Sequence, residues 1–386
     1  MKRQFLVLSA MLLLFSISSF PQKTIIFDEV GEFNEGLAPV KKDHLWGFID
    51  TKGNVVIQPQ FSERMLYTPV FIDTLCLVVD PKTGKTGYIN KTGQLVIPFQ
   101  FTSASNFNNG YAFNYEPGSA ANSKIQARCR LINTEGKVIV ETTPNDYGYR
   151  TEFHEGKARF KRGMKRSNNR FEIYYGFLDT LGNIAIEDKF NDVRDFSDSL
   201  AAVQLGEKWG FIDNHGNIKI DCQFTNEPQP FSNGRARIQS RDNKYGYIDT
   251  SGNVVVEPIY SDAFPYSDGF TTVSFLDERY QKAFFIIDLK GKRIKEFKRI
   301  KKDNEIITFH SGFNDGLAVA QQGYGMDMGF IDTKGKTVID FKFNKLKPFN
   351  SGLAYAEQYD KKTSKVSKGF IDKKGKFVIL IEQPKF

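Results

Sequence analysis

The residue types that most often carry catalysis or bind metals are scarce in this sequence and scattered along it. Its four histidines, all at unrelated positions, are His44, His154, His215 and His310. None forms the H-x-H or H-x-x-x-H spacing of a zinc site. No G-x-S-x-G elbow, P-loop or dinucleotide-binding glycine fingerprint occurs. We therefore expect no metal, no cofactor and no catalytic residues.

The three cysteines also point away from a disulfide framework or a reactive centre. They are Cys76, Cys129 and Cys222, an odd number for an exported chain. Each falls at a different position of a repeating unit that is described below. We expect them to be isolated, buried substitutions that behave as small apolar side chains.

Two sets of side chains remain as candidate binding groups. The first is one aromatic position of the repeat, where rings at a sheet edge could stack on sugars or, in the interpretation that we favour, pack against the next unit. The second is basic: the formal net charge is +8, and cations concentrate near residues 161–170 and 290–302. They favour an anionic partner, although a solvated edge that discourages aggregation explains them equally well. The candidate residues are Trp46, Tyr175, Trp209, Tyr245, Lys161, Arg162, Lys165, Arg166, Arg293, Lys298 and Arg299.

The element that positions these residues is a repeated hairpin, first seen at Trp46–Ile57. Apolar runs at Phe48–Ile49 and Val55–Ile57 flank a polar segment with Asp50 at its start and Gly53 at its end. This pattern predicts a type I turn followed by a residue with positive φ. Because Asp and Asn cap such turns, we expect Asp50 to bond the backbone and not to bind calcium. If Asp50 pairs with Asn54, Gly47 faces Ile57.

Nine copies of the hairpin occur along the chain. Each is preceded by a second block, first seen as Phe33–Ala38, in which an aromatic residue is followed five positions later by a small residue. The turn glycines are Gly53, Gly93, Gly136, Gly182, Gly216, Gly252, Gly291, Gly335 and Gly375. Both faces of the hairpin are apolar, so each unit needs neighbours, as in a stacked repeat array.

The sequence therefore predicts one all-β domain over residues 23–386, a tandem array of nine three-stranded units. Ile25–Phe27 resembles a third strand and belongs to a half-unit at 23–32. Because the ninth unit has its own third strand, this surplus favours an open, β-solenoid-like array; a closed, β-propeller-like ring is the alternative. The units cover residues 33–61, 71–101, 107–147, 153–190, 196–224, 231–260, 266–300, 313–343 and 349–383.

Residues 1–20 have the pattern of a secretory signal peptide. Lys2 and Arg3 precede an apolar run from Phe5 to Phe15, and small residues follow it. The run is shorter than about 18 residues, which argues against a spanning anchor. We expect cleavage and export to the periplasm, the cell surface or the medium, and no transmembrane segment in the mature chain.

The units resemble a known family. Trp46–Asp50, Trp209–Asp213 and the preceding block Phe33–Ala38 are similar to the WG-repeat family, and the resemblance runs from residue 25 to the end. Units 2, 3 and 7 depart from it, with Thr86, Cys129 and Phe284 in place of Trp. The resemblance implies a bacterial, often exported, β-rich repeat protein that mediates interactions, without an established enzymatic activity.

We accordingly expect a monomeric, non-enzymatic binding or scaffolding protein of the cell envelope. The first hypothesis for its partner is another envelope protein. The second is a cell-surface or dietary glycan, or another anionic ligand, held by aromatic rings and basic loops. A hydrolase with an unrecognised site is the third. Export argues against nucleic acid as a partner.

Overall fold

The computed structural model describes residues 22–64, 67–118, 128–142, 153–165, 171–276, 282–297, 307–323, 325 and 327–382. The regular elements of these residues are all β-strands. Among them, no helix is long and apolar enough to span a membrane. The predicted signal peptide lies outside the described residues.

The strands of the first half of the chain are β1 (Lys23–Ile26), β2 (Glu29–Val30), β3 (Leu37–Lys42), β4 (Leu45–Asp50), β5 (Val55–Ser62), β6 (Phe71–Ile72), β7 (Leu75–Val79), β8 (Thr86–Asn90), β9 (Leu95–Phe101), β10 (Ser103–Ala104), β11 (Tyr111–Glu116), β12 (Arg128–Asn133), β13 (Val138–Thr142), β14 (Phe153–His154), β15 (Lys157–Lys165), β16 (Phe171–Leu178) and β17 (Ile184–Phe190).

Those of the second half are β18 (Asp192–Val193), β19 (Leu200–Leu205), β20 (Lys208–Asp213), β21 (Ile218–Phe224), β22 (Arg235–Gln239), β23 (Tyr245–Asp249), β24 (Val254–Tyr260), β25 (Asp262–Ala263), β26 (Phe270–Leu276), β27 (Lys282–Asp288), β28 (Arg293–Phe297), β29 (Ile307–Phe309), β30 (Leu317–Gln322), β31 (Met328–Asp332), β32 (Thr337–Phe343), β33 (Lys345–Leu346), β34 (Ala354–Asp360), β35 (Lys365–Ile371) and β36 (Phe377–Glu382).

The described strands form nine sheets, which we call blades 1 to 9 in chain order. A regular blade has four antiparallel strands, named a to d; in blade 1 they are β2, β3, β4 and β5. Strands b, c and d are the three that the sequence predicts. Strand a was missed because it is usually two residues long and lies in the linker, where no apolar alternation marks it. Blade 6 has three strands, β22 to β24, and blade 9 has β33 to β36 with β1 added.

The predicted c–d turn is confirmed. In blade 1, the amide of Gly53 donates to the Asp50 carbonyl at 2.9 Å, and Gly53 has φ of 75°. Asp50 Oδ1 accepts hydrogen bonds from the amides of Lys52 and Asn54 at 2.9 and 2.8 Å. The Asp carboxylate thus satisfies two backbone donors of the turn, which explains why Asp or Asn recurs there.

The glycine that follows the Trp position permits a bulge in strand d. In blade 1, Trp46 is opposite Phe61 and Phe48 is opposite Ile57, so Gly47 alone faces three residues of β5. A Cβ on Gly47 would lie 2.4 Å from the Ile57 carbonyl oxygen. The predicted pairing of Gly47 with Ile57 is therefore wrong, because a second bulge at Val56 shifts the register by one residue.

Adjacent blades pack through two repeated contacts. The c–d turn glycine of one blade rests on an aliphatic side chain of the preceding blade, as Gly93 does on Ile57, whose Cγ2 a Cβ would approach to 3.2 Å. The aromatic residue before strand b packs edge-on against a ring of strand c in the preceding blade; Phe71 and Phe48 have centroids 4.8 Å apart. Such edge-to-face pairs add about 0.5–1.5 kcal/mol each to the burial of the rings.

The same contacts join blade 9 to blade 1, so the array closes into a propeller-like ring. Phe33 packs edge-on against Phe370 with centroids 4.7 Å apart. A Cβ on Gly53 would lie 3.5 Å from Ile379 Cγ1. The amide of Gly36 donates to Ser351 Oγ at 3.1 Å. The open, solenoid-like prediction is therefore wrong, and the alternative of a closed ring is correct.

The surplus N-terminal strand is compatible with closure because it is added to a complete sheet. β1 pairs with β36 in parallel, with Lys23 opposite Ile379, and becomes the fifth strand at the edge of blade 9. Ile25 and Phe27 are buried in one cluster with residues of blades 1 and 9. The closing strand therefore does not replace a missing one, because β1 overlaps the complete four-stranded sheet of blade 9.

Candidate functional site

The aromatic candidates are structural. Trp46 and Trp209 are 4% and 5% exposed, and Tyr175 and Tyr245 are half-buried. Trp46 is opposite Phe61 of its own blade and lies in a cluster that extends to Phe71 of the next blade. No exposed groove of aligned rings exists at this position in the described residues, and the interpretation that these rings pack within the array is the one that fits.

Cations cover the outer faces of several of these rings. Lys41 Nζ lies 5.2 Å from the Trp46 centroid, and the Arg194 guanidinium lies 4.8 Å from the Trp209 centroid. Arg194 also forms a two-pronged ion pair with Glu227 of the next blade, with bonds of 2.6 and 2.5 Å. The bond with Glu227, followed by that with Asp192, raises the pKa of Arg194. Arg194 therefore serves packing between blades, whereas the ion pair of Lys41 with Glu29, at 2.6 Å, lies within blade 1.

The basic candidates are divided between two blades. Lys161 and Arg162 lie in β15, where Arg162 Nη1 pairs with the buried Asp188 at 3.0 Å and Lys161 is exposed. Lys165 ends β15. Arg293 begins β28 in blade 7 and is exposed. Arg166, Lys298 and Arg299 lie outside the described residues. The structure thus places the described candidates in separate blades, 4 and 7.

The described histidines and cysteines do not converge on a reactive centre. His44 Nδ1 is 2.7 Å from Glu63, His154 Nε2 is 3.8 Å from Asp195, and His310 Nε2 is 2.7 Å from Gln321. Burial raises the pKa of each cysteine, and that of the fully buried Cys76 most of all. The described residues include no cluster that could hold a metal ion.

A cavity of about 560 Å³ lies where the ring closes, lined by residues that flank strand a in blades 9, 1 and 2. Strands a therefore face the centre of the ring, and strands d form its outer edge. One ion pair crosses the seam, with Lys347 Nζ 2.6 Å from Glu32, and a second lies within blade 9, with Lys345 Nζ 3.4 Å from Glu357. Tyr355 donates to Glu357 at 2.8 Å, and burial together with that carboxylate raises the pKa of Tyr355. The Lys347–Glu32 pair therefore stabilises the seam, and the contacts of Glu357 stabilise blade 9 beside it.

A surface that sequence reasoning missed runs around the outer edge of the ring. The first or the second residue of strand d carries an exposed aliphatic side chain in eight blades, and both do so in blades 1 and 2, with exposed fractions of 36 to 48%. We call this set the aliphatic rim; it comprises Val55, Val56, Leu95, Val96, Val138, Ile184, Ile218, Val254, Ile294 and Val338. Consecutive aliphatics follow the turn glycine in every blade except 5 and 7, and they are the signal that could have revealed the rim, since strict alternation would bury one of the two.

The fold and these surfaces define the class: a nine-bladed, propeller-like ring of WG-type repeats. The sequence profile described as "WG containing repeat" matches residues 24–45, 46–63, 87–114, 175–209, 209–245, 245–280 and 328–361, together more than half of the chain. The chain therefore belongs to the family of WG-containing repeat proteins, and the resemblance noted in the sequence is confirmed. A repeat ring of this kind supports a protein-binding or scaffolding role in general.

Curated proteins include no match to the chain. Among solved structures, it is similar to the dihydro-heme d1 dehydrogenase NirN in complex with DHE, at 12% identity and a TM-score of 0.37, over 92% of this chain and 74% of that one. It is also similar to apo AztD from Citrobacter koseri, at 11% and 0.36 over 80% and 92%, and to Kluyveromyces lactis Hsv2, at 10% and 0.35 over 88% and 96%. These scores are too low to inform function.

Proposed function

We propose that this protein is an exported, non-enzymatic scaffold that binds another protein of the cell envelope through the aliphatic rim. The observation that carries the proposal is the rim itself. Aliphatic side chains recur at the start of strand d, next to one face of the ring, and remain exposed to water. Contiguous apolar surface on a folded protein typically marks a site of interaction with other proteins.

A protein partner suits these surfaces better than a glycan does. Sugars stack on exposed aromatic faces, whereas Trp46 and Trp209 are buried here and covered by cations. The rim offers branched aliphatic side chains, which pack well against a complementary protein surface but give a sugar ring neither a flat face nor hydrogen-bonding groups.

The chemistry of the described residues supports a non-enzymatic role. A cysteine nucleophile acts as a thiolate, and burial raises the pKa of all three thiols, which disfavours that form. The turn aspartates are the carboxylates that recur most regularly along the chain, and their side-chain oxygens accept hydrogen bonds from backbone amides. Asp213, for example, accepts from the amides of His215 and Asn217 at 2.9 and 3.0 Å.

Site-specific photo-crosslinking in intact cells tests the rim. A benzoylphenylalanine at Val96 or at Val254 should form adducts with a partner protein. The matched control is Leu205, an equally exposed aliphatic residue that ends β19 beside the b–c turn, at the opposite end of blade 5. Adducts from Leu205 as abundant as those from the rim, or no adduct from either rim position in folded protein, would contradict the proposal.

Export is tested separately. Residues 1–22 fused to a phosphatase that is active only outside the cytoplasm should give active enzyme. A fusion in which Leu12 and Leu13 are replaced by Arg should not, because the charges interrupt the apolar run that the export machinery requires. Equal activity of the two fusions would show that the segment does not direct export.

A further inference from the structure

The closure of the ring shows that strand d of a blade can accept an added strand. β1 pairs along the edge of β36 over four residues, and its other neighbours are limited to the seam of blades 9 and 1. The edge of strand d, with its unpaired amides and carbonyls, can therefore pair with an additional strand in this fold.

In most other blades, the edge of strand d is interrupted by the bulge that lies opposite the glycine after the Trp position. In blades 1, 2, 4, 5, 6 and 8, one strand c residue faces three residues of strand d. A bulge bends the edge and interrupts its regular row of hydrogen-bonding groups. Blade 9 lacks this bulge: Gly369 and Phe370 pair with Leu380 and Ile379 without a break. Blade 3 also lacks it, with Cys129, Arg130 and Leu131 opposite Thr142, Glu141 and Val140. The straight edge of blade 9 is the one that β1 occupies.

Blade 7 also has a straight edge, and no described strand covers it. Phe284, Phe285 and Ile286 are opposite Phe297, Glu296 and Lys295 in unbroken register. The reason is Phe285, which stands where seven of the nine blades have Gly and blade 3 has Arg130; a side chain there leaves no room for the bulge. β28 is the last strand of its sheet.

The edge of blade 7 is basic. Residues 290–297 contain four cations and one carboxylate, and four of the five residues of β28 are exposed. Arg293 and Lys295 form cation–π contacts with Phe285 and Phe297, at 4.2 and 5.9 Å from the ring centroids. Among the described residues neither cation is in an ion pair, so both keep their charge available for a partner.

We propose that β28 is a docking edge for an acidic, extended segment of a partner protein, which adds to blade 7 as β1 adds to blade 9. Backbone pairing supplies affinity, as in other cases of strand addition, and the charges of Arg293 and Lys295 select acidic sequences. The inference rests on the proposed function of protein binding and names one of its surfaces, separate from the parts of the rim that the crosslinks probe.

The probe is a labelled hexapeptide, Asp-Thr-Ile-Glu-Phe-Asp, which copies residues 23–28 with acidic residues in place of Lys23 and the exposed Ile26. Fluorescence anisotropy with the chain from residue 22 onward should show saturable binding. The variant R293E/K295E should weaken it by about tenfold or more. The matched control K374E/K376E changes two exposed lysines of the c–d turn in blade 9, two blades away from β28, and should leave affinity within about twofold.

Two further measurements separate strand addition from simple charge attraction. A peptide of the same sequence with alternate amides N-methylated should not bind, because it cannot continue the sheet. Hydrogen exchange should slow at 293–297 with the unmodified peptide and not at 254–260, the bulged strand d of blade 6. Equal binding of the methylated peptide, equal weakening by both charge variants, or no protection of β28 would each overturn the inference.

The outcomes also distinguish this inference from the proposed function. Failure of the peptide with rim crosslinks intact would remove the docking edge only. Loss of the rim crosslinks with peptide binding intact would remove the rim as the partner surface and leave the docking edge in place.

Discussion

Lys23 lies opposite Ile379 in the parallel strand pair that joins the two ends of the chain. Phe27, the residue that follows β1, is 7% exposed and packs in a cluster with Phe33 of blade 1 and Phe370 of blade 9. The ring is therefore sealed by apolar contacts that β1 brings to the junction, in addition to the contacts that every blade makes with the next.

Replacing Phe27 with alanine should destabilise the protein by about 3–5 kcal/mol, since a buried ring is lost and a cavity is left. Urea unfolding followed by circular dichroism measures the change. The control is Ile26→Ala at the neighbouring position, which ends β1, where the side chain is 54% exposed, and its effect should stay within about 0.5 kcal/mol. Equal midpoints for the two variants would show that β1 does not seal the ring.

Replacing Gly210 with alanine should destabilise the protein by about 1–3 kcal/mol or more, because the added Cβ would lie 2.5 Å from the Ile220 carbonyl oxygen and would push the bulge apart. Arg130→Ala is the control, since blade 3 has no bulge at the equivalent position. This variant loses only the partly exposed ion pair between Arg130 and Glu141. A G210A protein as stable as the wild type would refute the steric role of the glycine.

Replacing Asp213 with asparagine should make the free energy of unfolding fall less steeply as the pH is lowered into the acid range. The side-chain bond from Asn217, with the amides of Asn217 and His215, holds the pKa of Asp213 below its ordinary value of 3.8. The stabilisation is present above that ordinary value and is lost as pH falls through the lower pKa of the folded state. Asn keeps the backbone bonds, as Asn90 does with Thr92 and Gln94, but does not titrate.

The measurement is the urea midpoint of wild type and D213N between roughly pH 2 and 6. The control D221N removes the same charge from an exposed position of β21 without touching the turn. The result that counts against the turn as a source of acid sensitivity is an identical decline of D213N and wild type below pH 4.

The two tryptophans should report a buried environment in the native protein. Because Trp46 and Trp209 are almost fully buried, we expect blue-shifted emission and little quenching by iodide. Unfolding in urea should shift the emission to the red and restore quenching. The variant W209F isolates Trp46 and should behave in the same way. Strong iodide quenching of the native protein would show that the two tryptophan rings are exposed, and they would again be candidate binding groups.

Much of the fold follows from local sequence. The Asp at the start and the Gly at the end of each c–d turn are required by hydrogen bonding and positive φ within five residues, so they can be recognised without neighbours. The surface was harder to anticipate. Whether Val55 and Val56 are both exposed depends on a bulge, and whether β28 has a straight edge depends on Phe285 in place of Gly.

The sequence alone thus determined the repeat, its nine copies, its turns and the need of each hairpin for neighbours, because those properties depend on residues close together in the chain. Only the tertiary structure decided that the array closes, that β1 overlaps β36, and which rings and cations remain exposed. The reason is that closure depends on small rotations summed over nine blades and on contacts between residues more than 300 positions apart, such as Gly36 and Ser351.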